Sequence, residues 1–399
     1  MKILVLDEEF PFPLNTGKRI RSFNLTKRIA QRHELHYLAY ATGNSEAFKE
    51  LERAGIYPIA VSHHVPPKSG VLFYFRLLMN LFSKYPYIVT SHYSKIFQKH
   101  LEDALDRIRP DLIICEWSPY AIFGKNITDT KIIIVAHNVE SRIWERYYEN
   151  EPHPIKKWYI KKQMQKVARF EHAVFNWADG ATAVSAIEAQ EIQSYNPLLN
   201  VETVENGVDL QYFVPDYNRR VGKELIFVGS MNWRPNQDAI KYFVEDIFPL
   251  VLEKDNDIIA NFVGQNPPPF IEKLNDIPGI KIVGRVDDVR PYVHNGAVYI
   301  VPLRIGGGTR LKIIEALAMG KAVVSTRVGA EGLNVTDGQD IMLADTPEEF
   351  ADKIMVLMHD AQLRNKLGAA GRKLVESFYG WDMLADKLER FLIDIVGAK

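Results

Sequence analysis

The chain reads as two doubly wound α/β domains in tandem. Short apolar runs alternate with helical patterns in both halves, and strands separated by helices pair in parallel through crossover connections. Its 399 residues suffice for two domains that each bury most of their apolar surface without covalent staples.

In the first half, residues 2–6 form an apolar run of buried-strand type, followed by the turn-rich loop Pro11-Phe-Pro-Leu-Asn-Thr-Gly17. A helix is predicted over 18–32, where Ile20 with Phe23 and Leu25 with Ile29 are apolar pairs at helical spacing. Further strands are predicted at 35–40, 112–115, 131–136 and 180–184. The second half repeats the alternation, with strands at 225–228, 259–263, 280–283, 298–301, 322–325 and 341–343. Helices there are predicted at 236–253, 309–319, 347–359 and 361–377. The domain boundary is read at Asn206-Gly207-Val208-Asp209, which precedes Pro215 and a polar run. That divides the chain into 1–205 and 206–380, with ligands expected at the carboxyl ends of the strands.

Hydrophobic residues make up 47% and charged residues 25%, as in ordinary globular proteins, which excludes a disordered or fibrous chain. The single cysteine, Cys115, excludes an intrachain disulfide and fits a reducing, cytoplasmic compartment. The apolar run before Asp7 is too short for a signal peptide, and no run reaches the roughly 18 apolar residues of a membrane span. Residues 1–200 carry 26 Lys+Arg against 21 Asp+Glu, a net of +5, which leaves −6 for the remainder of a chain with net charge −1. A basic first half suits an anionic lipid or acceptor, whereas neither half is basic enough for nucleic acid.

The stretch Gly306-Gly307-Gly308-Thr309-Arg310-Leu311-Lys312-Ile-Ile-Glu315 follows the strand at 298–301. Three glycines let the backbone approach a ligand closely, and a helix start beyond them offers free N–H groups and a positive dipole end. Arg310 and Lys312 add two cations, so the combination suits a diphosphate. A carboxylate at Glu315 is placed to accept both hydroxyls of an attached ribose. The local pattern equally fits a glycine-rich turn capped by Thr309, with Glu315 on a solvated face. Neither GxxxxGK[ST] nor GxGxxG is present, which argues against a P-loop and a dinucleotide dehydrogenase.

These residues, with Ala316-Leu-Ala-Met-Gly320-Lys-Ala-Val-Val-Ser325 after them, resemble glycosyltransferase family 4, of GT-B fold. The resemblance extends to the Pro11–Gly17 loop, Ala136-His137-Asn138-Val139-Glu140, Asn206-Gly207-Val208-Asp209, Phe227-Val228-Gly229-Ser230 and Gly284-Arg285-Val286-Asp287-Asp288. It implies two Rossmann-like domains facing across a cleft, with a C-terminal helix at about 381–399 packed back on the first. It implies a retaining hexosyltransferase that uses a nucleoside diphosphate sugar and needs no cofactor or metal, acting on a glycan, lipid-linked or small-molecule acceptor in polysaccharide biosynthesis. The ribose carboxylate then corresponds to Glu315, and the diphosphate site to Arg310, Leu311 and Lys312 with the Gly306–Thr309 amides. The second phosphate loop corresponds to Gly229 and Ser230, with Arg234 as its nearest cation. Base contacts correspond to Arg285 and Val286, the N-terminal glycine loop to Gly17 and the active-site histidine to His137. The family's first glutamate, eight positions before the second, is replaced by Gly307, which leaves sugar recognition to other groups.

Glu116, Trp117 and Asn138 stand at strand ends as candidate acceptor-side residues, with plain packing as the alternative for Glu116 and Trp117. Two segments, 71–82 and 156–166, read either as surfaces for an anionic membrane or as a core helix and a solvated charged helix. Two other activities fit the same architecture, a sugar-nucleotide 2-epimerase and a nucleotide-sugar binding protein without turnover.

Overall fold

In the computed structural model, all residues are described except 42–44, 63–66, 68, 217, 218, 220, 306–310 and 399. Thirteen strands are found among them. They are β1 Lys2–Asp7, β2 Glu34–Tyr40, β3 Ile56–Val61, β4 Leu112–Cys115, β5 Lys131–Ala136, β6 Gly180–Ala183, β7 Val201–Thr203, β8 Glu224–Val228, β9 Ile259–Val263, β10 Ile280–Gly284, β11 Val298–Val301, β12 Val323–Ser325 and β13 Met342–Leu343. They form two wholly parallel sheets, in the orders β3-β2-β1-β4-β5-β6-β7 and β10-β9-β8-β11-β12-β13. The α/β doubly wound class is therefore as read from the alternation. The apolar residues of β1, β4 and β11 are buried on both faces, the mark of a parallel sheet covered by helices on both sides.

The chain divides into a first unit, Met1–Glu205 with Leu384–Lys399, and a second, Asn206–Met383. The exchange between units falls inside the helix Trp381–Gly397, a few residues later than the boundary read at 380. Leu384, Leu388, Phe391, Leu392 and Ile395 of this helix are buried. Its polar edge pairs with the first unit through Arg32 to Asp386 at 2.7 Å, His33 to Glu389 at 2.8 Å and Lys387 to Glu202 at 3.3 Å. A Cβ on Gly180 in β6 would meet the ends of the Ile395 and Phe391 side chains within 3 Å, so any larger residue there makes the helix side chains shift.

Helix starts follow their caps. Thr16, Ser94, Ser185, Thr346 and Asp360 each accept an N–H in the first turn of the helix they open. The first helix runs over Gly17–Ile29, ending three residues short of the reading. The helix read at 236–253 begins at Arg234 and widens into a π turn over Phe243–Ile247. Pro249 lies just beyond, and its missing N–H removes one rung of the α ladder. The strands Ile56–Val61 and Val201–Thr203 were not anticipated. Both are edges of the first sheet, one contains Pro58 and the other is only half-buried.

Candidate functional site

In each sheet, strand order reverses between two strands, where the connections leave in opposite directions and open a crevice at the carboxyl ends. In the first sheet these are β1 and β4, in the second β8 and β11. Among the described candidates, Glu116 and Trp117 follow β4 and Gly229 and Ser230 follow β8, whereas His137 and Asn138 follow β5 and Arg285 and Val286 follow β10.

In the first unit, β1 ends at Asp7-Glu8, β4 is followed by Glu116-Trp117 and β5 by His137. Parallel register sets β1 against β2 and β4, which places distant parts of the chain side by side. Lys18 Nζ lies 2.6 Å from Asp7 Oδ1 and 2.8 Å from Glu8 Oε1, and the Tyr37 hydroxyl donates to Asp7 Oδ2 at 2.6 Å. Burial pushes the Asp7 carboxyl up to about 6 against the pull of Lys18. Burial also acts to raise Glu8, yet a hydrogen bond from His92 and the Lys18 charge outweigh it and hold Glu8 at about 2. The Lys18 ammonium loses hydration, but Asp7 and Glu8 more than compensate and lift its pKa above the ordinary lysine value.

His137 is largely buried, its Nε2 3.3 Å from Glu116 Oε1 without the alignment of a hydrogen bond. Burial lowers the His137 pKa despite the adjacent carboxylate. Glu116 would be raised by burial, but His137, the Ser22 hydroxyl that donates to it and Arg21 reverse the shift and keep it ionised. At neutral pH the pair is thus an uncharged imidazole beside a carboxylate. Trp117 Nε1 donates to Glu140 Oε1 at 2.8 Å, and Lys18 Nζ lies 5.4 Å from the Trp117 ring centroid. Glu171 accepts the N–H groups of Glu140 and Ser141, both at 2.9 Å, which caps the helix Glu140–Asn150 from a distant helix. The turn His137-Asn138-Val139 is therefore held between the end of β5 and a capped helix start. Gly17 is exposed at the opening of the first helix.

In the second unit, β8 runs into Gly229-Ser230, and the helix Leu311–Ala318 follows β11. Lys312 Nζ donates to Asn236 Oδ1 at 2.7 Å and lies 4.3 Å from the Phe227 ring centroid. A Cβ on Gly229 would lie 2.8 Å from Lys312 Nζ and 2.7 Å from Asn236 Nδ2. A Cβ on Gly264 would collide with the Gly229 carbonyl oxygen. Two bare backbones and an ammonium thus converge at the end of β8. Asn236 Nδ2 also donates to Ser230 O at 2.8 Å, tying the loop to the helix that carries it.

Glu315 is half-buried on Leu311–Ala318, and burial pushes its carboxyl up to about 7, with Lys312 opposing. Leu311 is half-buried, Arg234 exposed at the start of Arg234–Tyr242, Arg285 exposed and Val286 packed against the core. Gly306, Gly307, Gly308, Thr309 and Arg310 lie outside the described residues. Among the described residues no group of three or more His, Cys, Asp and Glu could hold a metal ion.

The structure brings His137 to Glu116 and Lys312 to Gly229. The Asp7–Glu8–Lys18–Tyr37 network and Asn236 were not singled out in the sequence. Asp7 and Glu8 carried the same signal as Glu116, a carboxylate where a buried strand stops. Asn236 carried none.

A profile described as Glycosyltransferase Family 4 matches residues 20–212, and one described as Glycosyl transferases group 1 matches residues 222–360. An uncharacterized glycosyltransferase of Methanocaldococcus jannaschii is 29% identical over 189 residues, 45% of this chain and 49% of the relative. A phosphatidyl-myo-inositol mannosyltransferase of Mycobacterium tuberculosis is 25% identical over 212 residues, 49% of this chain and 54% of the relative. The chain spans about half the length of each of these two. An uncharacterized 44.6 kDa protein in the cps region of Klebsiella pneumoniae is 22% identical across 89% of this chain and 90% of its own. Among solved structures, sucrose-phosphate synthase of Thermosynechococcus elongatus superposes with a TM-score of 0.74 at 14% identity over the full length of both chains. HepE of Anabaena, solved in complex with UDP, gives 0.70 at 14% identity over 99% of this chain and all of its own. These two share the fold.

Proposed function

Because the chain belongs to glycosyltransferase family 4, of GT-B fold, we propose that it transfers a sugar from a nucleoside diphosphate sugar to an acceptor hydroxyl. The observation that carries this reading is the approach of Lys312 to the bare backbone of Gly229 at the end of β8. An ammonium beside a glycine backbone with no side chain in the way, at a sheet's reversal point, suits a diphosphate.

Transfer builds negative charge on the departing diphosphate and positive charge on the anomeric carbon. Preorganised positive potential lowers that barrier, and Lys312 with Arg310 supplies it. Gly306, Gly307, Gly308, Thr309 and Leu311 offer backbone to the diphosphate, and Gly229, Ser230 and Arg234 form its second wall. Glu315 accepts the ribose hydroxyls, and the segment at Arg285 and Val286 takes the base. His137, with Glu116 beside it, is taken as the active-site histidine, and Gly17, Trp117 and Asn138 as acceptor-side residues. No carboxylate is placed as a nucleophile by this reading, so the leaving phosphate takes the acceptor's proton on the same face and configuration is retained. The acceptor is a glycan, a lipid-linked sugar or a small molecule of polysaccharide biosynthesis, used in the cytoplasm. HepE binds UDP in its solved complex, which makes UDP the first nucleoside diphosphate to try.

The test is incubation with a panel of nucleoside diphosphate sugars, with and without acceptor, followed by NMR of the product. Acceptor-dependent release of nucleoside diphosphate with an axial or equatorial bond matching the donor's supports the proposal. Inversion of that bond overturns retention. Sugar interconversion without release indicates a 2-epimerase, and binding with neither indicates a protein without turnover.

A further inference from the structure

The helix Val71–Asn80 and the two residues after it present Val71, Leu72, Tyr74, Phe75, Leu78, Met79 and Phe82 to solvent, each between 52% and 86% exposed. Soluble monomers rarely leave contiguous apolar surface larger than a few hundred Å² uncovered without a use for it. The expectation of a core helix fails here, since Asn80 is the only residue of the helix that is fully buried.

The helix Pro154–Trp177 meets its C-terminal end. Its exposed residues include Ile155, Trp158, Lys156, Lys161, Lys162 and Arg169. Ile155, Trp158, Lys162 and Arg169 fall at spacings that share one helical face. A buried polar clamp locks the two helices together. Lys166 Nζ donates to Asn80 O at 2.6 Å and Leu81 O at 3.1 Å, the carbonyls that close Val71–Asn80, where a cation also meets the negative end of the helix dipole. Gln163 Nε2 donates to Asn80 Oδ1 at 2.9 Å, and its Oε1 accepts the Tyr87 N–H at 2.8 Å. Lys166, grouped by sequence with the lipid-facing lysines, is thus a buried brace and is removed from that group.

We infer that this pair of helices is a docking surface for an anionic lipid bilayer, with the apolar helix entering the headgroup boundary and the lysine-bearing helix meeting anionic headgroups. Charge complementarity selects this occupant. An exposed apolar helix alone fits any partner, but one clamped to a helix mixing tryptophan with lysines matches the two layers of an anionic membrane surface. No described helix is long and apolar enough to cross a membrane. The inference stands apart from the transfer reaction, because vesicle binding requires neither donor nor turnover.

The experiment is sedimentation of the full chain with vesicles of phosphatidylglycerol and phosphatidylcholine, and with phosphatidylcholine alone. Binding is expected to the anionic vesicles at low salt and to weaken as salt rises. The triple variant K156Q/K161Q/K162Q should lower partitioning roughly 100-fold, at about fivefold per lysine. The variant L72S/F75S/F82S should lower it at least as far and remove the part that survives high salt. All six side chains are exposed, so circular dichroism and melting point should match the parent in both variants. Absence of binding to anionic vesicles at low salt overturns the inference, as does equal binding to neutral ones. A concentration-dependent dimer that L72S/F75S/F82S abolishes, without vesicle binding, would assign the surface to a second copy instead.

Discussion

Replacing Glu315 by glutamine should stabilise the ligand-free chain above neutral pH and weaken its hold on a nucleoside diphosphate. Burial raises this carboxyl from 4.5 to about 7. A folded state that holds its proton more tightly than the unfolded chain is favoured below the unfolded pKa and loses that advantage as pH rises through the folded one. The rise of about 2.5 in pKa sets a ceiling of about 3 kcal/mol, at about 1.36 kcal/mol for each tenfold change. The side chain is only half-buried, and solvent screening reduces this to about 1–2 kcal/mol. In a unit of this size that is roughly 3–6 °C of melting point at pH 8.5, shrinking toward zero near pH 4.5. Binding should move the other way. Charge-assisted hydrogen bonds contribute about 1.5–3 kcal/mol each before the loss is offset by water, so with roughly 2–4 kcal/mol lost in all Glu315→Ala should lose roughly 30- to 1000-fold in affinity and Glu315→Gln less. Thermal melts across that pH range and calorimetric titration with UDP read both effects on the same samples. Melting points that differ from wild type by the same amount at every pH would refute the burial argument. Unchanged affinity in both variants would refute the ribose assignment.

Gly264→Ala drives its methyl group into the Gly229 carbonyl and should destabilise by about 1–3 kcal/mol in urea titration. Gly229→Ala meets only the ends of Lys312 and Asn236, so it should fold normally and lose at least about tenfold in UDP affinity by calorimetry. His137→Ala should lower the transfer rate about 100-fold or more while UDP affinity stays within about twofold; Glu116→Gln should fall between the two and shift the pH–rate profile. Gly180→Val places a branched side chain against Ile395 and Phe391 and should lower the melting point of the first unit, by about 2 kcal/mol in stability, with no change in UDP affinity.

Periodicity and burial made most of the architecture readable. Val298–Val301 and Lys131–Ala136 were found at their observed bounds because strands buried on both faces are continuous apolar runs. Ile56–Val61 escaped because an edge strand tolerates a proline and half its polar surface, which erases that signal. His137, Glu116 and Glu315 could be singled out from their places at strand ends and on the helix after β11, though only the family resemblance gave His137 and Glu315 a role. Their partners were not, since Tyr37 reaches Asp7 and Ser22 reaches Glu116 only through the pairing of strands far apart in sequence. Lys166 illustrates the same limit: nothing in a run of lysines distinguishes the one that braces carbonyls 86 and 85 residues away.

The residues Leu384–Lys399 complete the first unit but are encoded after all of the second. A ribosome adding about 5–20 residues per second needs roughly 10–35 s to make the intervening stretch. Throughout that interval the nascent first unit carries a bare groove over Gly180, where Phe391 and Ile395 will later sit. Its sheet can pair before then, but its burial cannot be finished. Translation speed and chaperone access over Asn206–Met383 should therefore govern how much of the protein emerges intact, in a way that substitutions within Met1–Glu205 alone would not reveal.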